Sequence, residues 1–201
     1  MPRFSRAIIG ALSALVLLAP GSGPRAQTDD VFAFIPPGGR SVLTQLPHQG
    51  MPADEFKALI AGKRTSAEWL GYLKGRAASV PALKGLGDNE LATLADYLAV
   101  NMPLPATTVP ADLAEANLEK MLPADGRDLT LNYCQSCHIV TVVVTQDRTR
   151  EAWLGTMNKP SHIEIELTPA QRGALADYLV RNGGIPIDEV PEELRAGGAS
   201  Y

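Results

Sequence analysis

Apolar residues recur along this chain in three rhythms, and each predicts a different kind of element. Ala174, Leu175, Tyr178 and Leu179 follow the three-and-four spacing of one helical face, a stripe that must be buried. The same segment carries its own boundary signals. Thr168 with Gln171 three residues on forms a capping box, Pro169 suits the first helical position, and Gly183-Gly184 stops the helix after Arg181 and Asn182. An earlier segment opening at Asp88 repeats the stripe with Leu91, Leu94, Ala95 and Leu98. Shorter helices are expected from about Thr149 to Met157, carrying Trp153, and from about Gly126 toward Cys134. The second rhythm is the β-branched run Ile139 to Val144, a strand on propensity alone. With helices on both sides and no partner strand in this half, it is expected as an extended apolar loop.

The third rhythm is unbroken hydrophobicity. Ala7 to Ala19 is an apolar stretch of 13 residues, preceded by Arg3 and Arg6 and followed by small and breaking residues from Pro20 to Gln27. Residues 1–26 therefore read as a secretory signal, with Ala26 as a good last residue and Pro24 a departure from the usual small-residue pattern. As a helix of about 1.5 Å per residue the stretch reaches roughly 20 Å, short of the ~30 Å hydrocarbon core. Attachment to a membrane is expected only if the signal stays uncleaved. The 201-residue chain has a formal net charge of -4. Removing 1–26 deletes Arg3, Arg6 and Arg25 and no acid, so the 18 bases become 15 against 22 acids. That balance argues against nucleic acid or an anionic membrane surface as partner.

Comparing the chain with itself reveals a repeat. Arg64-Thr65 followed by Glu68-Trp69-Leu70-Gly71 matches Arg148-Thr149 followed by Ala152-Trp153-Leu154-Gly155 at an offset of 84. Leu94 to Leu98 matches Leu175 to Leu179 at 81, and Gly39-Arg40 matches Gly126-Arg127 at 87. Three blocks in one order indicate a duplication with small loop changes. Between the copies, Asn101 to Pro110 contains three prolines and no helical period, and reads as a semi-rigid linker. The organisation expected is a signal at 1–26, a first domain at 31–103, a linker at 104–110, a second domain at 110–190 and a tail at 191–201.

The chemistry is concentrated in Cys134-Gln135-Ser136-Cys137-His138, whose Cys-x-x-Cys-His spacing is that of a c-type haem attachment site. Two thiols three positions apart on one turn can each bond a porphyrin vinyl group, and the next residue offers its imidazole to the iron. One covalently bound haem c is expected, with His138 as the proximal iron ligand. Cys134 and Cys137 are the only cysteines, so neither a zinc site nor a disulfide framework can be completed. The rival reading is a thiol redox pair, which would want a βαβ context that is not found. For the sixth iron ligand Met157 is favoured, sharing a helical face with Trp153; the alternative is His162 in a Pro160-Ser161-His162 loop. Met102 and Met121 have weaker claims. In the first half the places of Cys134, Cys137 and His138 are taken by Pro47, Gly50 and Met51, and that of Met157 by Leu73. No haem can be covalently held there, and His48, the only histidine of that half, reads as a solvated loop imidazole.

A short helix, the Cys-x-x-Cys-His hook, a loop, a middle helix and a closing helix resemble a class I c-type cytochrome domain. The resemblance covers about residues 122–183 through a specific motif, and about 36–101 only through the repeat. It implies an all-α fold of two small cytochrome c-like helical domains in tandem, only the C-terminal one haem-bearing. It implies a periplasmic electron-transfer protein without substrate chemistry of its own, the partner of a periplasmic redox enzyme such as a dehydrogenase and of a later electron acceptor. The run from Ile139 to Val144 is then expected to line the porphyrin. A haem-based sensor with an open iron position is the second reading.

Overall fold

Several helices in this chain start where a side-chain oxygen can take up the free amides of a first turn. Thr168 Oγ1 accepts from Gln171 N at 3.2 Å while Gln171 Oε1 accepts from Thr168 N at 2.9 Å, the reciprocal box expected from the sequence. Thr65 and Glu68 repeat it, with Glu68 N donating to Thr65 Oγ1 at 3.3 Å and Thr65 N to Glu68 Oε2 at 2.8 Å. The computed structural model describes residues 30–105 and 117–195. The expected signal at 1–26, residues 106–110 of the linker and residues 196–201 of the tail lie outside the described residues.

Every regular element among the described residues is helical. In the first half these are α1 (Gly39–Gln45), α2 (Ala53–Ala61), α3 (Ser66–Ala77), α4 (Pro81–Lys84) and α5 (Asp88–Asn101). The second half has α6 (Leu118–Met121), α7 (Gly126–Leu129), a π-helical turn at Thr130–Cys134, α8 (Thr141–Val144), α9 (Arg150–Met157), α10 (Pro160–Ile163) and α11 (Pro169–Asn182). No described helix is long and apolar enough to cross a membrane.

The run from Ile139 to Val144 departs from the extended loop expected: Thr141–Val144 closes a helical turn. Val143 and Val144 donate to Val140 O at 2.9 and 3.0 Å, and Thr145 donates to Thr141 O at 3.1 Å. The physical reason is backbone satisfaction. No strand among the described residues offers a ladder, so a β-branched segment pairs its amides locally instead.

Two hydrophobic clusters fill the fold. The first gathers Leu43, Phe56, Trp69, Leu73, Leu94 and Leu98; the second gathers Leu129, Val144, Trp153, Leu175 and Leu179. Each large apolar side chain so buried contributes roughly 1.5–3 kcal/mol. In each cluster a glycine lets two helices touch. A Cβ on Gly39 of α1 would stand 2.2 Å from Tyr97 Cβ of α5, and one on Gly126 of α7 would stand 2.1 Å from Tyr178 Cβ of α11. These are two of the sequence blocks that repeat, meeting in the same way twice.

The short segments ahead of α1 and α7 are exchanged between the clusters. Ile35 packs in the second cluster, whereas Leu118 and Leu122 pack in the first. Hydrogen bonds follow the same crossing. Tyr97 Oη donates to Pro123 O at 2.8 Å and Tyr178 Oη to Pro36 O at 2.6 Å. Arg40 Nη1 donates to Glu119 O at 2.9 Å and Arg127 Nη2 to Phe32 O at 3.0 Å. Each partner pair, Pro36 with Pro123 and Phe32 with Glu119, is separated by the same 87 residues as Gly39 and Gly126. Helices α5 and α11 also pack together, through Asn182 bonded to Asn89 at 2.8 Å and an Arg181–Asp96 ion pair at 2.7 Å.

One side chain breaks this correspondence. Asp125, only 2% exposed, caps its own helix α7 through Asp128 N at 3.0 Å. It also accepts from Arg40 N at 2.8 Å, at the start of α1. The position equivalent to Asp125 is Gly38, which has no side chain to offer and would drive a Cβ to within 2.0 Å of Asp125 Oδ2. A single carboxylate therefore serves two helix N-termini.

Candidate functional site

The site begins at α7, whose last turn widens into the π-helical turn Thr130–Cys134. Wider turns of this kind occur often at functional sites. The chain then curls back, so that Cys137 N and His138 N both donate to Cys134 O, at 3.4 and 3.1 Å. The curl places the two cysteines one turn apart on one side, with His138 following directly. Both thiols are free, Cys134 half-buried and Cys137 exposed. Burial, with the Cys137 thiol beside it, pushes the Cys134 thiol up to about 11, so it stays protonated at neutral pH.

Cys134, Cys137 and His138 open on one cavity of about 510 Å³. That volume lies within the range of small-molecule and cofactor pockets. Its walls come from four helices: Val142 and Val143 of α8, Trp153 and Met157 of α9, His162 of α10, and Leu175 and Leu179 of α11. Ile165 and Leu167 close the far side, and Gln146 and Arg148 stand at the polar rim. The cavity thus unites all five residues singled out in the sequence, Cys134, Cys137, His138, Met157 and His162. Of the run from Ile139 to Val144, Val142 and Val143 line the cavity, from a helix rather than a loop. Met102 is buried in the first cluster, and neither it nor Met121 lines the cavity; His48 is exposed. Among the described residues no group of three or more His, Cys, Asp or Glu side chains is arranged to hold a bare metal ion.

Met157 ends α9 and is 6% exposed. His162 is half-buried, its Nδ1 3.0 Å from Ser161 Oγ, and its ring and that of His138 have centroids 6.1 Å apart and planes inclined by 27°. Arg148 Nη1 donates to Thr156 Oγ1 at 2.9 Å, and its guanidinium lies 5.2 Å from the Trp153 ring centroid. Trp153 Nε1 is buried and has no hydrogen-bond partner. Trp69 Nε1, its counterpart in the first half, is in the same state.

The sequence reading passed over Arg172. It stands at i−3 and i−7 to Leu175 and Leu179, on the apolar stripe of α11, and is 8% exposed. Its Nη1 donates to Met157 O, and its Nη2 to Ile163 O and Ile165 O at 3.2 and 2.8 Å. A cation at the C-terminus of α9 also meets the negative end of that helix. A charged residue on a buried stripe was the legible signal for it.

Neither protein-family models, nor curated proteins, nor solved structures give a match to this chain.

Proposed function

We propose that this protein is a periplasmic c-type cytochrome that carries single electrons. Cys134 and Cys137 would hold one haem through thioether bonds, and His138 would ligate its iron. The observation that carries the reading is the convergence of two unbridged thiols and the adjoining imidazole on one apolar cavity of about 510 Å³. The donor set fits the group: sulfur for covalent attachment, nitrogen for iron, and hydrocarbon around it. When bound, such a haem supplies a one-electron iron couple. The chain's own part is to fix the attachment turn, to keep water out with Val142, Val143, Trp153, Leu175 and Leu179, and to offer Arg148 as a rim cation toward an acidic haem substituent.

In this reading the chain is two cytochrome c-like domains in tandem, the first without haem. Support comes from the paired glycine–tyrosine contacts and the paired crossing hydrogen bonds. Support comes also from the first cluster being filled. Met51 at the place of His138 and Leu73 at the place of Met157 are 6% and 0% exposed, packed among their neighbours. The first half then serves as a docking surface for a redox enzyme, with a separate acceptor downstream. The basic start and apolar stretch at residues 3–19 favour export, and haem is joined to such proteins outside the bacterial cytoplasm.

Co-expression of the full chain with a cytochrome c maturation system tests the reading. The expected product is coloured, carries one haem per chain by pyridine haemochrome assay, and keeps its pigment in acidified acetone. Replacing both cysteines by alanine should abolish covalent retention. A mature polypeptide without colour would refute the proposal.

A further inference from the structure

We infer that His162 is the second axial ligand, so that the iron sits between two histidines; this rests on the haem reading above. A first-row metal bonded to an imidazole nitrogen at about 2.0–2.1 Å lies roughly 3.1 Å from the centre of that ring. Two imidazoles gripping one metal from opposite sides therefore have centroids about 6.2 Å apart. His138 and His162 stand 6.1 Å apart. The cavity between them is bounded by both residues and by the two cysteines that would anchor the porphyrin edge.

The surroundings of His162 suit a ligand. Ser161 Oγ engages Nδ1 at 3.0 Å, which leaves Nε2 for the metal and fixes the ring's orientation. Arg172 braces the backbone on both sides of it, through Met157 O before and Ile163 O and Ile165 O after. The half that lacks the attachment motif provides a control. Helices α4 and α10 are both four-residue turns that begin with proline and precede the closing helix of their half. The third residue of α10 is His162; the third of α4 is Leu83, 1% exposed and part of the first cluster. Where no cofactor would be held, a hydrocarbon fills the place of the imidazole.

Met157 has a simpler explanation. Met157 ends α9 and its counterpart Leu73 lies one turn before the end of α3, and both are buried in their clusters. A methionine-for-leucine exchange in a core needs no metal to account for it. Two-histidine ligation gives a lower potential than histidine with methionine, so the carrier would deliver electrons at the reducing end of the range open to such proteins.

Spectra of the mature full-length protein test the assignment. The ferric form should be low-spin, lack the far-red sulfur-to-iron band and show the near-infrared magnetic circular dichroism of paired imidazoles. Ferrous protein should bind carbon monoxide slowly. Met157→Leu should leave the spectrum and midpoint potential unchanged. His162→Met should introduce the far-red band and raise the potential. A far-red band in the unaltered protein that Met157→Leu removes would overturn the assignment while leaving the haem intact. A five-coordinate high-spin spectrum would overturn it as well. A colourless mature chain would instead remove the haem reading on which it rests.

Discussion

Replacing Asp125 by alanine should destabilise the fold by about 3 kcal/mol, because one carboxylate holds two helices at once. The change removes the cap of α7, where Asp128 N donates at 3.0 Å, and the acceptor for Arg40 N at 2.8 Å at the start of α1. Loss of an N-cap costs typically ~1 kcal/mol, and a part-buried donor left without its acceptor adds about 1–3 kcal/mol. For a chain of this size 1 kcal/mol moves Tm by about 2–4 °C, so a drop of roughly 6–12 °C is expected in thermal unfolding followed by circular dichroism. Gly38 supplies a sharper test. Its backbone, at φ -81° and ψ 167°, suits any residue, yet a Cβ there would lie 2.0 Å from Asp125 Oδ2. Gly38→Ser should therefore destabilise the native chain. In the Asp125→Ala background the obstruction is gone, and the serine can cap α1 itself, recovering about 1 kcal/mol. If Gly38→Ser has the same sign in both backgrounds, or Asp125→Ala moves Tm by less than about 2 °C, the shared-cap account is wrong.

Burial, with the negative Asp128 beside it, holds the Asp125 carboxyl above the ordinary carboxylate range. The folded chain then keeps a proton that the unfolded chain releases near pH 4, so this group's contribution to stability falls as pH rises through its raised value. Urea unfolding should show the native protein's advantage over Asp125→Ala shrinking as pH rises above about 4; a growing advantage would contradict the sign. Gly39→Ala and Gly126→Ala should each cost at least about 2 kcal/mol, since the new methyl meets a tyrosine Cβ that cannot rotate away. Losses below about 0.5 kcal/mol at either site would show that the helices can part freely. Arg172→Met should cost about 2–4 kcal/mol by stripping donors from the carbonyls of Met157, Ile163 and Ile165. Amide exchange should accelerate most around residues 157–165, and uniform acceleration would assign Arg172 a general rather than local role.

Much of the helical framework was legible because its signals are local. The reciprocal cap at Thr168 and Gln171 and the stop after Asn182 depend on residues within one turn, and α11 begins and ends where they indicate. The stripes of α5 and α11 needed only a three-and-four spacing to declare their buried faces. The segment from Ile139 to Val144 misled because β propensity reflects packing in a sheet, and no sheet exists among the described residues to receive it. Arg172 was missed for a related reason. Its partners are carbonyls of Met157, His162, Ile163 and Ile165 on other segments, and carbonyls leave no mark in a sequence.

For the candidate site, the amino-acid order alone determined that two thiols and an imidazole fall within five residues, close enough for one turn of backbone to bring them together. It also set out the repeated blocks, and with them the absence of cysteine from the first half. Tertiary structure decided what lies opposite His138. Met157 and His162 both line the cavity, and packing sets the His162 ring 6.1 Å from that of His138 on a helix whose Ile163 carbonyl accepts from Arg172. It also decided that the halves exchange their leading segments and share one carboxylate. Such crossings join residues from 26 to 142 positions apart, which packing sets and no local spacing encodes.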